Sequence, residues 1–209
     1  MSALQRIAYY QNRRDEVPNQ ELARELAAKK DRKGIQEIAE NLWNKNSQIQ
    51  SDCLKVLYEI GYLQSELVAP YADDFLKLLH SRNNRLVWGA LIALSTVADL
   101  KADAIYPHVA EIKQVTDQGS IITQDNGVKV LALVATQKAA YSKDIFPYLL
   151  HHLETCRPKD VPQHAEKSAV AVNARNKKQF VAVLEKRLVD LSGSQAARVK
   201  KVIKEAEQR

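Results

Sequence analysis

Glycine and proline are scarce in this sequence, with 6 of each among 209 residues. That is about half of their usual combined share of about 12%, so few residues are available for tight turns. The remaining composition is ordinary for a soluble globular chain, because 45% of residues are hydrophobic and 27% are charged. The scarcity of turn residues therefore predicts a mainly helical protein.

Cysteine and long apolar segments are also scarce. The two cysteines, Cys53 and Cys156, are too few for a disulfide framework and suit free thiols in a reducing compartment. The N-terminus has no apolar segment of signal-peptide length, and the longest nearly apolar run, residues 86–98, is shorter than the roughly 20 residues that span a bilayer. We expect a cytoplasmic protein that is not inserted in a membrane.

Motifs for catalysis and cofactor binding are missing. The six glycines are scattered and form neither a dinucleotide-binding nor a phosphate-binding loop. The sequence also has no HExxH, GxSxG or CxxC pattern. These absences predict a protein that is not an enzyme and that binds no cofactor.

The chain contains a repeat of roughly 37 residues. Five apolar, helix-like stretches end at Leu42, Leu79, Val115, Leu153 and Leu188, which are 37, 36, 38 and 35 positions apart. Each is followed by a second apolar stretch with helical spacing. These second stretches are residues 53–61, 90–98, 128–135, 165–174 and 196–203. A fixed period of this length is typical of stacked helical pairs.

Proline is placed near the predicted start of three of the first helices, at Pro70, Pro107 and Pro147, where its missing N–H is tolerated. Together with paired helices and a short polar turn, this pattern resembles HEAT or armadillo-type repeats over residues 33–209. The best single unit is 67–100. The resemblance implies an α-α superhelix whose concave face binds a partner.

We predict one all-α solenoid domain over residues 1–209, made of about five helical pairs. Residues 1–32 form an N-terminal cap region with a helix at 19–30, and the repeats cover 33–66, 67–101, 102–138, 139–175 and 176–209. Ser194 is expected to cap the last helix. The longest interruptions of the repeat pattern are residues 117–127 and 155–162. We expect residues 117–127 to form a loop or a displaced helix start that binds a partner.

The second helices would line the concave face, as the resemblance implies. Five side chains lie near the starts of these second helices, and together they predict a mixed-charge groove that binds a protein or peptide. They are Asp52, Arg85, Trp88, Asp125 and Lys129. Taken singly, the charged residues suit a solvated surface, and both Trp88 and Trp43 suit packing between repeats. The partner's identity and the oligomeric state stay open.

Two alternatives involve nucleic acid. Residues 1–150 carry equal numbers of basic and acidic side chains, so the whole net charge of +6 lies in residues 151–209. Eight of the 13 basic residues there are concentrated near the last repeat, namely Arg175, Lys177, Lys178, Lys186, Arg187, Arg198, Lys200 and Lys201. They suit either a nucleic-acid surface or a polar cap on the last repeat. The resemblance extends to HEAT-like alkylpurine DNA glycosylases, and it implies Asp52 or Asp125, Arg85 and Trp88 as the matching residues.

A metal site is the last candidate. His152 and Cys156 are four positions apart on one predicted helix, and His164 follows nearby. Zinc needs three or four converging ligands, and the charges of Arg157 and Lys159 would oppose a cation. We therefore expect no metal.

Overall fold

A computed structural model describes residues 2–209 of the chain, and all regular structure within that range is helical. The predicted all-α class is confirmed. Contacts divide the chain into two compact units, an N-terminal unit that ends at His108 and a C-terminal unit, Val109–Arg209. The boundary falls inside the predicted repeat 102–138, and the two units are described separately below.

Five α-helices form the N-terminal unit: α1 (Val17–Lys29), α2 (Arg32–Glu40), α3 (Ser47–Leu63), α4 (Ala72–Leu78) and α5 (Asn84–Ile105). Helix α3 lies at the centre, because it packs against α1, α2 and α5, while α4 packs against α5. Its apolar side chains are almost fully buried, including Leu54, Leu57 and Ile60. Helix α5 is broken near its C-terminal end, at Lys101.

Side-chain caps determine where three of these helices begin. Asp31 accepts a hydrogen bond from the backbone N–H of Gly34 at the start of α2. Asn46 and Asn83 do the same at the starts of α3 and α5. Each cap satisfies an N–H group that has no partner within the helix.

Six α-helices form the C-terminal unit: α6 (Val109–Gln118), α7 (Ile121–Ala135), α8 (Ala139–Thr155), α9 (Val161–Ser168), α10 (Lys177–Arg187) and α11 (Gly193–Glu207). Helix α7 packs against α6, α8 and α9, and α10 packs against α8 and α11. Phe180 of α10 is fully buried and its ring lies 6.4 Å from that of Phe146 on α8.

Of the two alternatives for residues 117–127, the structure shows the displaced helix start, because only Gly119 and Ser120 separate α6 from α7. Two other local predictions for this unit are wrong. Pro147 lies inside α8 rather than at a helix start. Helix α11 begins before Ser194, and Ser192 occupies the capping position without a side-chain capping bond.

The close approach of α6 and α7 explains why their connection is so short. A Cβ atom on Gly127 would lie only 1.9 Å from Oγ1 of Thr116. The Thr116 hydroxyl is fully buried and donates to the carbonyl of Ile112. Only glycine leaves room for this contact, so the two helices meet where the sequence suggested an interruption.

Arg187 holds the C-terminal end of α8. Its guanidinium donates to the carbonyls of Leu153 and Glu154, each at 2.7 Å, and to that of Cys156 at 2.9 Å. The last carbonyls of a helix have no donor within the helix, so this one side chain satisfies two of them and the carbonyl of the C-cap residue Cys156. Arg187 is 9% exposed, which corrects its placement on a basic outer surface.

We predict that replacing Arg187 with Met lowers the free energy of unfolding by roughly 2–4 kcal/mol, because buried carbonyls lose charged donors. The matched control is the exposed neighbour Lys186→Met, expected to cost less than about 1 kcal/mol. Urea unfolding followed by circular dichroism measures both variants. Equal losses in the two variants would show that Arg187 does not stabilise α8 in this way.

Candidate functional site

Asp52, a predicted groove residue, is turned inward in the N-terminal unit. Its side chain is 6% exposed, and Oδ2 accepts the backbone N–H of Tyr9 at 2.8 Å. Burial raises the pKa of this carboxyl, while the Tyr9 hydrogen bond opposes the rise. Two further side chains hold the same N-terminal segment, because Glu37 accepts from the N–H of Ala3 and Asn19 accepts from that of Ala8. Asp52 is therefore positioned to order this segment.

Arg85 belongs to an ion-pair network in the same unit. Its guanidinium lies 3.1 Å from Glu16, which also pairs with Lys55 at 2.9 Å. Lys55 in turn lies 2.6 Å from Glu59. Burial opposes the charge on Lys55, but hydrogen bonds with Glu59 and Glu16 outweigh burial and raise its pKa.

The two tryptophans differ in exposure. Trp88 is partly buried one turn after Arg85 on α5. Trp43 is 51% exposed, and its indole N–H donates to Asp74 over 3.3 Å. The expectation that Trp43 is packed between repeats is therefore wrong, since half of its surface remains open.

Asp125 joins three helices of the C-terminal unit. Its Oδ1 lies 2.9 Å from Nε2 of His164 on α9, and Nδ1 of the same ring lies 2.9 Å from Nε2 of His152 on α8. Lys167 also lies 3.4 Å from Asp125 Oδ1, and Gln163 donates to its other oxygen. Burial opposes ionisation of Asp125, but His164 and Lys167 outweigh it and lower its pKa.

His152, Cys156 and His164, the three residues set aside as metal ligands on sequence grounds, come together here and are called the His–Cys cluster. Their donor atoms all lie within 4.8 Å of one another. Burial, with the neighbouring His164, lowers the pKa of His152 to about 4. Burial also raises the pKa of the Cys156 thiol to about 11, against the opposing charge of Arg187.

Lys129 follows Asp125 by one turn on α7 and is partly buried. Burial lowers its pKa, and the nearby charge of Lys167 adds to that effect. Of the five predicted groove residues, Asp52, Arg85 and Trp88 thus belong to the N-terminal unit, whereas Asp125 and Lys129 belong to the other. Their assembly into one binding surface stays a prediction.

A groove runs beside the N-terminal half of α8 and is here called the α8 groove. It consists of two adjoining cavities of about 540 and 420 Å³ that share Ala139, Ser142, Asn173 and Arg175. The other lining residues are Ala135, Thr136, Lys138, Ala140, Lys143, Phe146, Pro147, Val170, Ala171, Val172, Ala174, Asn176 and Gln179. No sequence signal singled out this surface, because its walls come from two segments about 30 residues apart.

Several of the basic residues near the C-terminus have partners within the protein. Arg198 makes two hydrogen bonds with Glu166, and Lys177 donates to the carbonyl of Glu207. Lys201 lies 3.8 Å from Glu205. Within residues 2–209, no helix is long and apolar enough to cross a bilayer.

No protein-family model matches this chain, and no curated protein matches it in sequence. Similarity is found among solved structures. The crystal structure of an engineered protein from the Northeast Structural Genomics Consortium has a TM-score of 0.70 and 18% identity, covering 100% of this chain and 98% of its own. A second engineered protein from the same consortium has a TM-score of 0.67 and 19% identity, and this chain spans 58% of its length. These similarities concern the fold alone.

The role of Asp52 can be tested by removing its carboxylate. We predict that Asp52→Ala lowers the free energy of unfolding by roughly 1–3 kcal/mol, because the N–H of Tyr9 loses its acceptor. Hydrogen exchange at the Tyr9 amide should accelerate roughly tenfold or more as the segment opens locally. Asp52→Asn keeps an acceptor oxygen and should retain most of the protection, and Asp73→Ala is the exposed control. Unchanged exchange in Asp52→Ala would refute the assigned role.

Proposed function

We propose that this chain is a non-enzymatic protein-binding module of the HEAT-like helical-repeat type, and that its α8 groove binds an extended acidic segment of a partner. The repeat of paired helices supports the first part, and the similarity to two engineered proteins supports its fold. The observation that carries the second part is the lining of the groove, which combines small apolar walls with basic side chains.

The size and walls of the groove suit a peptide. The two adjoining cavities, of about 540 and 420 Å³, both lie within the range of common ligand pockets, which is about 300 to 1,000 Å³. Alanine, valine and proline side chains form much of the lining. Short side chains let a peptide backbone approach closely, and their apolar surface is covered on binding.

The charge of the groove is of one sign. Its lining includes Lys138, Lys143 and Arg175, and no acidic residue lines either cavity in the part of the chain that the structure describes. All three basic residues are exposed. A surface of this kind favours and steers an acidic partner, an effect that added salt weakens.

The groove also offers polar groups for a peptide backbone. Pro147 has no N–H and cannot donate to the carbonyl of Lys143, four residues earlier in α8. Gln179 adds a side-chain amide that can both donate and accept. Asn176 holds the facing segment, because its side chain bonds to Ala171 and Asn173. A rigid wall with polar groups lowers the ordering cost of binding.

Nucleic acid suits this groove less well. The only aromatic side chain in its lining, Phe146, is 4% exposed, so it provides little surface on which a base can stack. Three basic side chains of the last helices, Lys177, Arg187 and Arg198, are paired within the protein. These contacts favour a protein partner over the basic C-terminal surface as a nucleic-acid site.

The test is a selection from displayed random short peptides, followed by fluorescence anisotropy of the enriched ones. We expect peptides rich in Glu and Asp with interspersed small apolar residues. The double variant Lys143→Glu/Arg175→Glu should weaken their binding roughly tenfold or more, because attraction becomes repulsion. Raising salt from about 50 to 200 mM should also weaken binding by the unmodified protein.

The matched control is Lys200→Glu/Lys201→Glu, which changes the net charge equally on the exposed face of α11. It should bind the selected peptides as the unmodified protein does. The proposal fails if no peptide is enriched, or if both double variants lose affinity equally. Labelled DNA and RNA are titrated in parallel, and tight binding that only the Lys200/Lys201 variant loses would favour the nucleic-acid alternative.

A further inference from the structure

The His–Cys cluster is built from two helices that face each other. His152 lies in the last turn of α8, and Cys156 follows the last residue of the helix with its backbone N–H still bonded to the carbonyl of His152. His164 reaches them from α9, and the three donor atoms lie within 4.8 Å of one another. Two imidazoles and a thiol are a ligand set that suits zinc.

The spacing of the two imidazoles is close to that of a metal site. His152 Nε2 and His164 Nδ1 are 2.9 Å apart. Two nitrogens on one tetrahedral zinc, each at about 2.0–2.1 Å, are separated by about 3.3 Å. The two nitrogens therefore need to move apart by only a few tenths of an ångström for a zinc ion to take the place of the proton that they share.

Asp125 determines which nitrogen of His164 faces the cluster. The carboxylate can only accept, so the Nε2 of His164, at 2.9 Å from Oδ1, carries the proton that it donates. Nδ1 is then left with a lone pair directed toward His152. A histidine whose second nitrogen donates to a carboxylate is the usual arrangement in protein metal sites.

The cluster is sheltered on one side and open on the other. His164 is fully buried and His152 is 9% exposed. His152 and Cys156 also line a cavity of about 370 Å³, whose other lining residues are Asp117, Ile121, Gln124, Thr155 and Arg157. This cavity gives an ion a path of entry and leaves space for a fourth ligand.

Two cations near the cluster are paired with carboxylates. Arg157, which lines the same cavity, pairs with Asp160 at 2.6 Å. Arg187 pairs with Asp190 and also donates to the carbonyl of Cys156. Asp160 therefore offsets the charge of Arg157, one of the two cations that argued against a metal on sequence grounds.

We propose that His152, Cys156 and His164 bind one zinc ion and leave a fourth coordination position open to the cavity. On binding, the Cys156 thiol releases its proton to solvent and Sγ leaves the Leu153 carbonyl, 3.8 Å away. The proton on Nε2 of His152 passes to solvent while Nδ1 of the same ring takes one up, so the imidazole stays neutral and the Cys156 proton is the only one released overall. The site lies at the opposite end of α8 from the α8 groove and does not depend on the groove's function.

The experiment is a titration of chelator-treated full-length protein with Co²⁺, followed by competition with Zn²⁺. We expect saturation at one ion per chain, with the near-ultraviolet charge-transfer absorption of a thiolate–cobalt bond and visible bands of a tetrahedral ion. Zinc should displace cobalt and raise the unfolding temperature, because it binds the folded state.

Variants assign the ligands. Cys156→Ser should abolish the charge-transfer band. Both Cys156→Ser and His164→Gln should weaken zinc binding roughly tenfold or more. Asp125→Asn should weaken zinc binding by about 10–100-fold, because Asp125 positions His164. His151→Gln and Cys53→Ser are matched controls, as the neighbouring exposed histidine and the other cysteine, and both should bind normally. Circular dichroism confirms that each variant is folded.

Two results would overturn the proposal. One is the absence of saturable one-to-one binding of Co²⁺ or Zn²⁺ by the unmodified protein. The other is that the charge-transfer band and the zinc affinity stay unchanged in folded Cys156→Ser and in folded His152→Gln, because an ion bound elsewhere in the protein would be affected by neither substitution.

Discussion

The capping of α8 by Arg187 is the interaction on which the C-terminal unit most depends. Helix α8 carries an internal proline, Pro147, so one of its own hydrogen bonds is missing. The guanidinium of Arg187 supplies donors to three carbonyls at the other end. Because the α8 groove lies along the first half of this helix and the His–Cys cluster along the second, both surfaces rely on a helix that a residue from α10 secures.

The N-terminal unit uses a related device with the roles reversed. Here acceptors on helices hold the N–H groups of an irregular segment, through Glu37, Asn19 and Asp52. Buried polar groups must find partners, and each such bond also orders the chain that provides it. Polar residues that look like surface groups in a sequence can therefore be structural, as Asp52 is.

The repeat period predicted the helices well because helix formation depends on residues three and four positions apart. The N-terminal helix expected at 19–30 is α1, Val17–Lys29, and the second-helix stretches 53–61, 90–98 and 128–135 lie within α3, α5 and α7. Tertiary packing decided what the local pattern left open. For residues 117–127 the sequence allowed a loop or a displaced helix start, and the close contact between Thr116 and Gly127 accompanies the second, with only two residues between α6 and α7.

By itself the sequence determined the all-α class, the helix positions and the absence of familiar catalytic motifs, since each depends on composition or short-range spacing. Only the tertiary structure decided which polar side chains meet. Asp125 precedes His164 by 39 residues, and the walls of the α8 groove come from separate segments. No periodicity encodes such distances, because they depend on how helices pack and on which buried groups need partners.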